Sequence, residues 1–142
     1  MKEETDIGEL NEEISSSSEV NSNSRVADIR ERAFAFAVRI VKLCKFLEKK
    51  SSVSKNLIGQ LLDAGTSIGA NLEEAKAAQS TADFIHKNSI SLKEARESIY
   101  WLKLILATET FDEIVRKGIE ALEKESLELA KIIGKIITST KK

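Results

Sequence analysis

A chain of 142 residues without a single proline lacks the residue that most sharply stops a helix, and a hydrophobic rhythm of threes and fours runs through it in four long stretches. Ile29, Ala33, Phe36, Ile40, Leu43 and Leu47 recur at spacings of 4, 3, 4, 3 and 4, which is one face of a helix. That face predicts a first helix over about residues 25–49, widened on one flank by Ala37, Val41 and Cys44. Leu57, Leu61, Ala64, Ile68, Leu72 and Ala75 predict a second helix over about 54–77. Its flanking strip contains Gly65 and Gly69, each costing about 1 kcal/mol against alanine, so close packing is expected there. Ile85, Asn88, Leu92, Ala95, Ile99, Leu102 and Leu106 predict a third helix over about 82–106, with Ser80 to Asp83 as a capping box. Val115, Ile119, Leu122, Leu129, Ile133 and Ile137 predict a fourth over about 111–138, with Thr110 to Glu113 as its capping box. Nothing reads as a strand. Four helices of similar length joined by short turns predict an all-α fold, an up-down-up-down antiparallel four-helix bundle spanning residues 25–142.

Residues 1–24 have a different character. They hold Ser15 to Ser18 and Asn21 to Ser24, few aliphatics, and one lysine against seven acids, a net charge of −6. Such a segment buries too little to offset chain entropy and is expected to be a mobile tail in isolation. Ile7, Leu10 and Ile14 nevertheless fall at helical spacing. The remaining 118 residues carry 21 basic and 16 acidic side chains, a net +5 that the overall charge of −1 conceals. The acidic, polar start does not resemble a secretory signal. The longest wholly apolar run, Ala33 to Val38, is far too short for a membrane span. The expected compartment is the cytoplasm, with no membrane partner.

The residues needed for catalysis are scarce. A bundle-type di-iron site requires two Glu-x-x-His pairs, and this chain has one histidine, His86, preceded by Asp83. Cys44 is the single cysteine, which excludes an intrachain disulfide and leaves no Cys₄ or Cys₂His₂ site. It lies on the apolar flank of the first helix and reads as a packing residue. Without strands there is no phosphate loop of the strand–turn–helix kind. The expectation is a protein that is not an enzyme, with no cofactor and no metal.

Two polar constellations remain. Asn71 and Glu74 share a helix face, as do Glu94, Glu97 and Trp101 on the next helix. On antiparallel neighbours they are expected to meet in a network reaching the Trp101 indole. A role in fixing helix register or a subunit interface is preferred to a ligand site, since paired acids without a base, metal or cleft carry little chemistry. The second constellation is basic. The first helix region, 25–50, holds eight cations against three acids. Arg32, Arg39, Lys42, Lys45, Lys49 and Lys50 are the candidate nucleic-acid contacts, with Phe46 and Val38 among them. A cationic stripe with an aromatic suits phosphate and stacking contacts; an ordinary solvated face, or a dock for the acidic tail, is the plain alternative.

Two blocks are distinctive beyond their periodicity: Thr66-Ser67-Ile68-Gly69-Ala70-Asn71-Leu72-Glu73-Glu74-Ala75, and Asp83-Phe84-Ile85-His86-Lys87 followed by Ser91 to Glu97 and Tyr100-Trp101-Leu102. Together they resemble the four-helix-bundle family named for proteins encoded within intervening sequences of bacterial 23S ribosomal RNA genes, over roughly residues 26–138. The resemblance implies an up-down bundle assembling into rings, commonly pentamers, without an established enzymatic activity. It also implies a distant kinship with the accessory protein of diversity-generating retroelements, which works with a reverse transcriptase and nucleic acid. Those accessory proteins are strongly basic, whereas this chain is nearly neutral. The expected function is a homo-oligomeric binding module for RNA or DNA, with a structural adaptor for a protein partner as the alternative. Five folded regions at +5 each would give a ring of about +25, a strong field for polyanions.

Overall fold

The structure, a computed structural model, describes residues 25–50 and 52–142, with side chains from residue 29 onward; the acidic segment 1–24, expected as a tail, lies outside the described residues. Four helices follow one another: α1 (Arg25–Glu48), α2 (Lys55–Lys76), α3 (Thr81–Thr108) and α4 (Glu113–Lys141). No strand occurs among the described residues. Each helix packs on the next, and α1 closes the bundle against α4 over a shorter stretch.

Local chemistry sets the ends. The Leu57 amide donates to the Ser54 hydroxyl at the start of α2, and Val53 plugs the turn before it, 5% exposed. At α3 the Asp83 amide donates to Ser80 Oγ at 3.1 Å, while the Asp83 carboxylate reaches back to accept from the Gln79 amide at 3.4 Å, a capping box displaced by one residue. The fourth helix corrects the sequence reading. Its N-cap is Asp112, not Thr110, with the carboxylate accepting from the Val115 amide at 2.9 Å. Phe111 is thereby left in the turn, where the Lys50 ammonium lies 4.4 Å from its ring centroid.

The predicted faces of α1 and α4 are the buried ones. The face of α3 is rotated from expectation. Asn88, Ala95 and Leu102 are buried as predicted, but Ser91, Ser98 and Ile105 join them inside, while Leu92, Ile99 and Leu106 sit at the flank. The hydroxyls are satisfied there: Ser91 donates to the Ile68 carbonyl of α2 and Ser98 to the Glu94 carbonyl, each at 2.8 Å. Ser126 of α4 donates to the Ala95 carbonyl, also at 2.8 Å. A small hydroxyl bonded to a carbonyl is tolerated in a core, and its size lets the backbones close in.

The glycine strip of α2 faces α1. A methyl group built at Gly65 would lie 2.8 Å from Ile40 side-chain carbons, and one at Gly69 would meet Ala33, including its backbone, at 3.5–3.6 Å. The strip is therefore occupied within the chain and offers no separate argument for an oligomer.

Candidate functional site

The six candidate cations take three different places. Arg39 is inside the bundle, 3% exposed, with its guanidinium 3.6 Å from Glu125 of α4. Arg32 engages both carboxylate oxygens of Glu125, its Nε donating at 3.3 Å and its Nη2 more closely. These two arginines tie α1 to α4; for Arg39 the assignment to an outer phosphate-binding surface is corrected, because its azimuth points into the seam. Lys50 bridges the two turns at one end of the bundle, donating to the Thr110 carbonyl at 3.3 Å beside the Phe111 ring. Lys42 and Lys45 are exposed on the outer side of α1, and Lys49 is exposed in the turn just past its end. Lys42 and Lys45 fall within about 60° of one another at about 100° per residue.

Phe46, expected among these cations, instead packs against the core. The aromatic on the outer face is Phe34, 70% exposed. It lies about 20° in azimuth from Lys45, eleven residues or about 16 Å along the axis. The signal was present in the sequence: Phe34 is two residues from the buried Phe36, hence on the opposite side of the helix.

The acidic and amide residues also separate. The antiparallel register of α2 and α3 is marked by the Ser91–Ile68 bond and by Lys87 Nζ, 2.9 Å from the Glu74 carboxylate. This register leaves Asn71 and Glu74 nearer the α2–α3 turn than Glu94 and Glu97. Asn71 donates to the Ser67 carbonyl of its own helix at 2.8 Å, and the Trp101 indole donates to Glu97 at 3.2 Å, one turn away. The expected network is thus two local sets along one groove.

Glu94 has a carboxyl raised above its ordinary value of 4.5, first by burial, then by Glu97 and Asp63, against a lowering effect of Lys93. The folded state binds this proton more tightly than the unfolded state. Its contribution to stability is present below 4.5 and is lost as pH rises through the raised folded value. Glu94→Gln is therefore expected to raise the melting temperature at pH 7, with the gain shrinking as pH falls towards 4. Thermal melts of both proteins across that range check it; a gain that does not change with pH would contradict the assignment.

Other candidates for chemistry are quiet. No group of three or more His, Cys, Asp or Glu side chains among the described residues could hold a metal ion. His86 is exposed near the start of α3. Cys44 is buried, lies 3.7 Å from the Ile58 carbonyl, and has its thiol pushed up to about 12 by burial and by Glu48. A thiolate is the reactive form, so iodoacetamide at pH 8 is expected to label the native protein far more slowly than the urea-unfolded chain; equal rates would show that this part of the core opens freely. No helix among the described residues is long and apolar enough to cross a membrane.

A family model described as 23S rRNA-intervening sequence protein matches residues 25–135. The chain is also similar to a crystal structure of a protein with unknown function from the S23 ribosomal protein family of Bacteroides thetaiotaomicron. Identity is 44%, the match covers 77% of this chain and 97% of that one, and the TM-score is 0.70. No curated protein matches this chain.

Proposed function

The chain belongs to the 23S rRNA-intervening sequence protein family, and from that premise we propose that it is a non-enzymatic, homo-oligomeric binding module whose outer α1 face contacts single-stranded RNA or DNA. The observation that carries this reading is the exposure of Phe34 on the same side of α1 as Lys42 and Lys45, with Lys49 exposed in the turn just past its end. A ring on which a base can stack, followed along the axis by ammonium groups for phosphates, is the composition of a sequence-tolerant single-strand site. Self-association, with a pentamer as the expected number, repeats that face around a ring and multiplies its field. Tyr100, Ile114 and Leu127, 46–59% exposed, are large apolar side chains that such contacts would cover. They equally support the second reading, an adaptor that scaffolds a protein partner.

Fluorescence anisotropy with a short single-stranded RNA over a salt series tests the proposal. Changing Lys42, Lys45 and Lys49 together to Gln is expected to weaken binding about tenfold near 0.1 M salt. It should also flatten the log–log salt slope by roughly 2, since each lost phosphate contact removes about 0.7. Phe34→Ala is expected to weaken binding about tenfold without changing the slope, because stacking releases no counterions. Absence of binding below about 100 µM, the weak end of non-specific affinity, would transfer the case to the adaptor reading. Light scattering showing a monomer at micromolar concentration would overturn the oligomer.

A further inference from the structure

One end of the bundle is open. There the start of α1, the end of α2, the start of α3 and the end of α4 surround a cavity of about 580 Å³, a volume within the range of ligand sites. Its walls include Ile29, Leu72, Ala75, Phe84 and Ile136, with the Asn88 side chain at its base. Among the described residues of its lining, Arg30 and Lys76 are the charged ones. Arg30 also approaches Glu73 at 3.3 Å.

We propose that this cavity is the seat of the chain's own N-terminal segment, residues 7–14, with Ile7, Leu10 and Ile14 entering it. Three observations select this occupant. The segment is tethered at the cavity itself, since Ile29, which lines the cavity, lies in the first described turns of α1. Ten residues, the number between Ile14 and Arg25, can reach at most about 36 Å, enough to bring Ile14 back to that end. Such a tether supplies an effective concentration of order millimolar, so a modest apolar contact suffices. The third observation is charge: Asp6, Glu9, Glu12 and Glu13 flank the three aliphatics, matching a rim whose described lining includes the cations Arg30 and Lys76. Three aliphatics are too few for a core of their own, and the cavity supplies apolar walls for them.

The test uses the full-length protein. In amide-exchange mass spectrometry, residues 7–14 are expected to show at least about tenfold protection over an unstructured chain. Changing Ile7, Leu10 and Ile14 together to Glu should abolish this protection and speed exchange around Leu72–Phe84 and Ile136, with the far-UV spectrum retained. In parallel, p-benzoylphenylalanine at position 10 should photocrosslink to peptides containing Phe84 or Ile136 of the same chain, as read from a mixture of isotopically light and heavy protein. Unprotected residues 7–14, crosslinks to the Lys42–Lys49 stretch, or crosslinks joining light to heavy chains would each overturn the proposal. None of these outcomes depends on nucleic-acid binding.

Discussion

Glu125→Ala is expected to destabilise the protein by about 3 kcal/mol, roughly a 10 °C fall in melting temperature for a chain of this size. Glu125, with a side chain 15% exposed, is the carboxylate shared by Arg32 and Arg39 across the α1–α4 seam. Arg32 retains 26% exposure and can turn towards water. Arg39 cannot, at 3% exposure, so the substitution takes the Glu125 carboxylate away from a desolvated guanidinium. The cost lies mainly in that desolvation rather than in the attraction lost, which separates this case from a surface ion pair worth about 0–1 kcal/mol. The double change Arg39→Met with Glu125→Leu should accordingly recover most of the loss, because it removes both charges. Added salt should not rescue the single variant, since counterions do not reach a buried group. Urea unfolding of the three proteins measures the differences. A loss below about 1 kcal/mol for Glu125→Ala would mean that Arg39 is not held as described.

Gly65→Ala and Gly69→Ala are expected to differ in sign. Both replace a mid-helix glycine and both gain up to about 1 kcal/mol of helix propensity. At Gly65 the new methyl would lie 2.8 Å from Cγ1 and Cγ2 of Ile40, a residue itself fully buried. Ile40 has no open space to enter, so α1 and α2 must part. Overpacking of this kind costs about 1–3 kcal/mol, giving a net loss of up to about 2 kcal/mol once a propensity gain of about 1 kcal/mol is set against it. At Gly69 the nearest atoms, those of Ala33, stand at 3.5–3.6 Å, an ordinary contact, and the substitution should stabilise by a few tenths to 1 kcal/mol. Denaturant midpoints of the two variants give the comparison directly; a stabilising Gly65→Ala would show that the α1–α2 seam is looser than the geometry requires.

Helix number, type and approximate ends followed from the 3.6-residue period and from local caps, which act over a single turn. Hence the Ser80 cap is legible in the sequence, and the start of the fourth helix differs by only two residues, where Thr110 and Asp112 both offer an acceptor to the first amides. The family blocks in α2 and α3 were legible for a related reason: their residues stand at fixed offsets on a helix, and those offsets do not depend on the partner helices.

What the amino-acid order could not disclose by itself was azimuth, the direction in which each flank of a helix looks once four are assembled. Arg39 and Lys42 are three residues apart in one basic run, yet one lies in the α1–α4 seam and the other is exposed. Phe46, which the sequence places among the cations, packs against the core, and the aromatic that faces outward is Phe34. On α3, Ser91 and Ser98 are inside because carbonyls of Ile68 and Glu94 satisfy their hydroxyls, and only the first of these is set by a neighbouring helix. Period and composition determine that a helix has an apolar face and roughly how wide it is, because burial acts on area and is not directional. Which borderline residue at the edge of that face is drawn inside depends on a single carboxylate, carbonyl or methyl group brought across from another helix, and that is decided by tertiary packing alone.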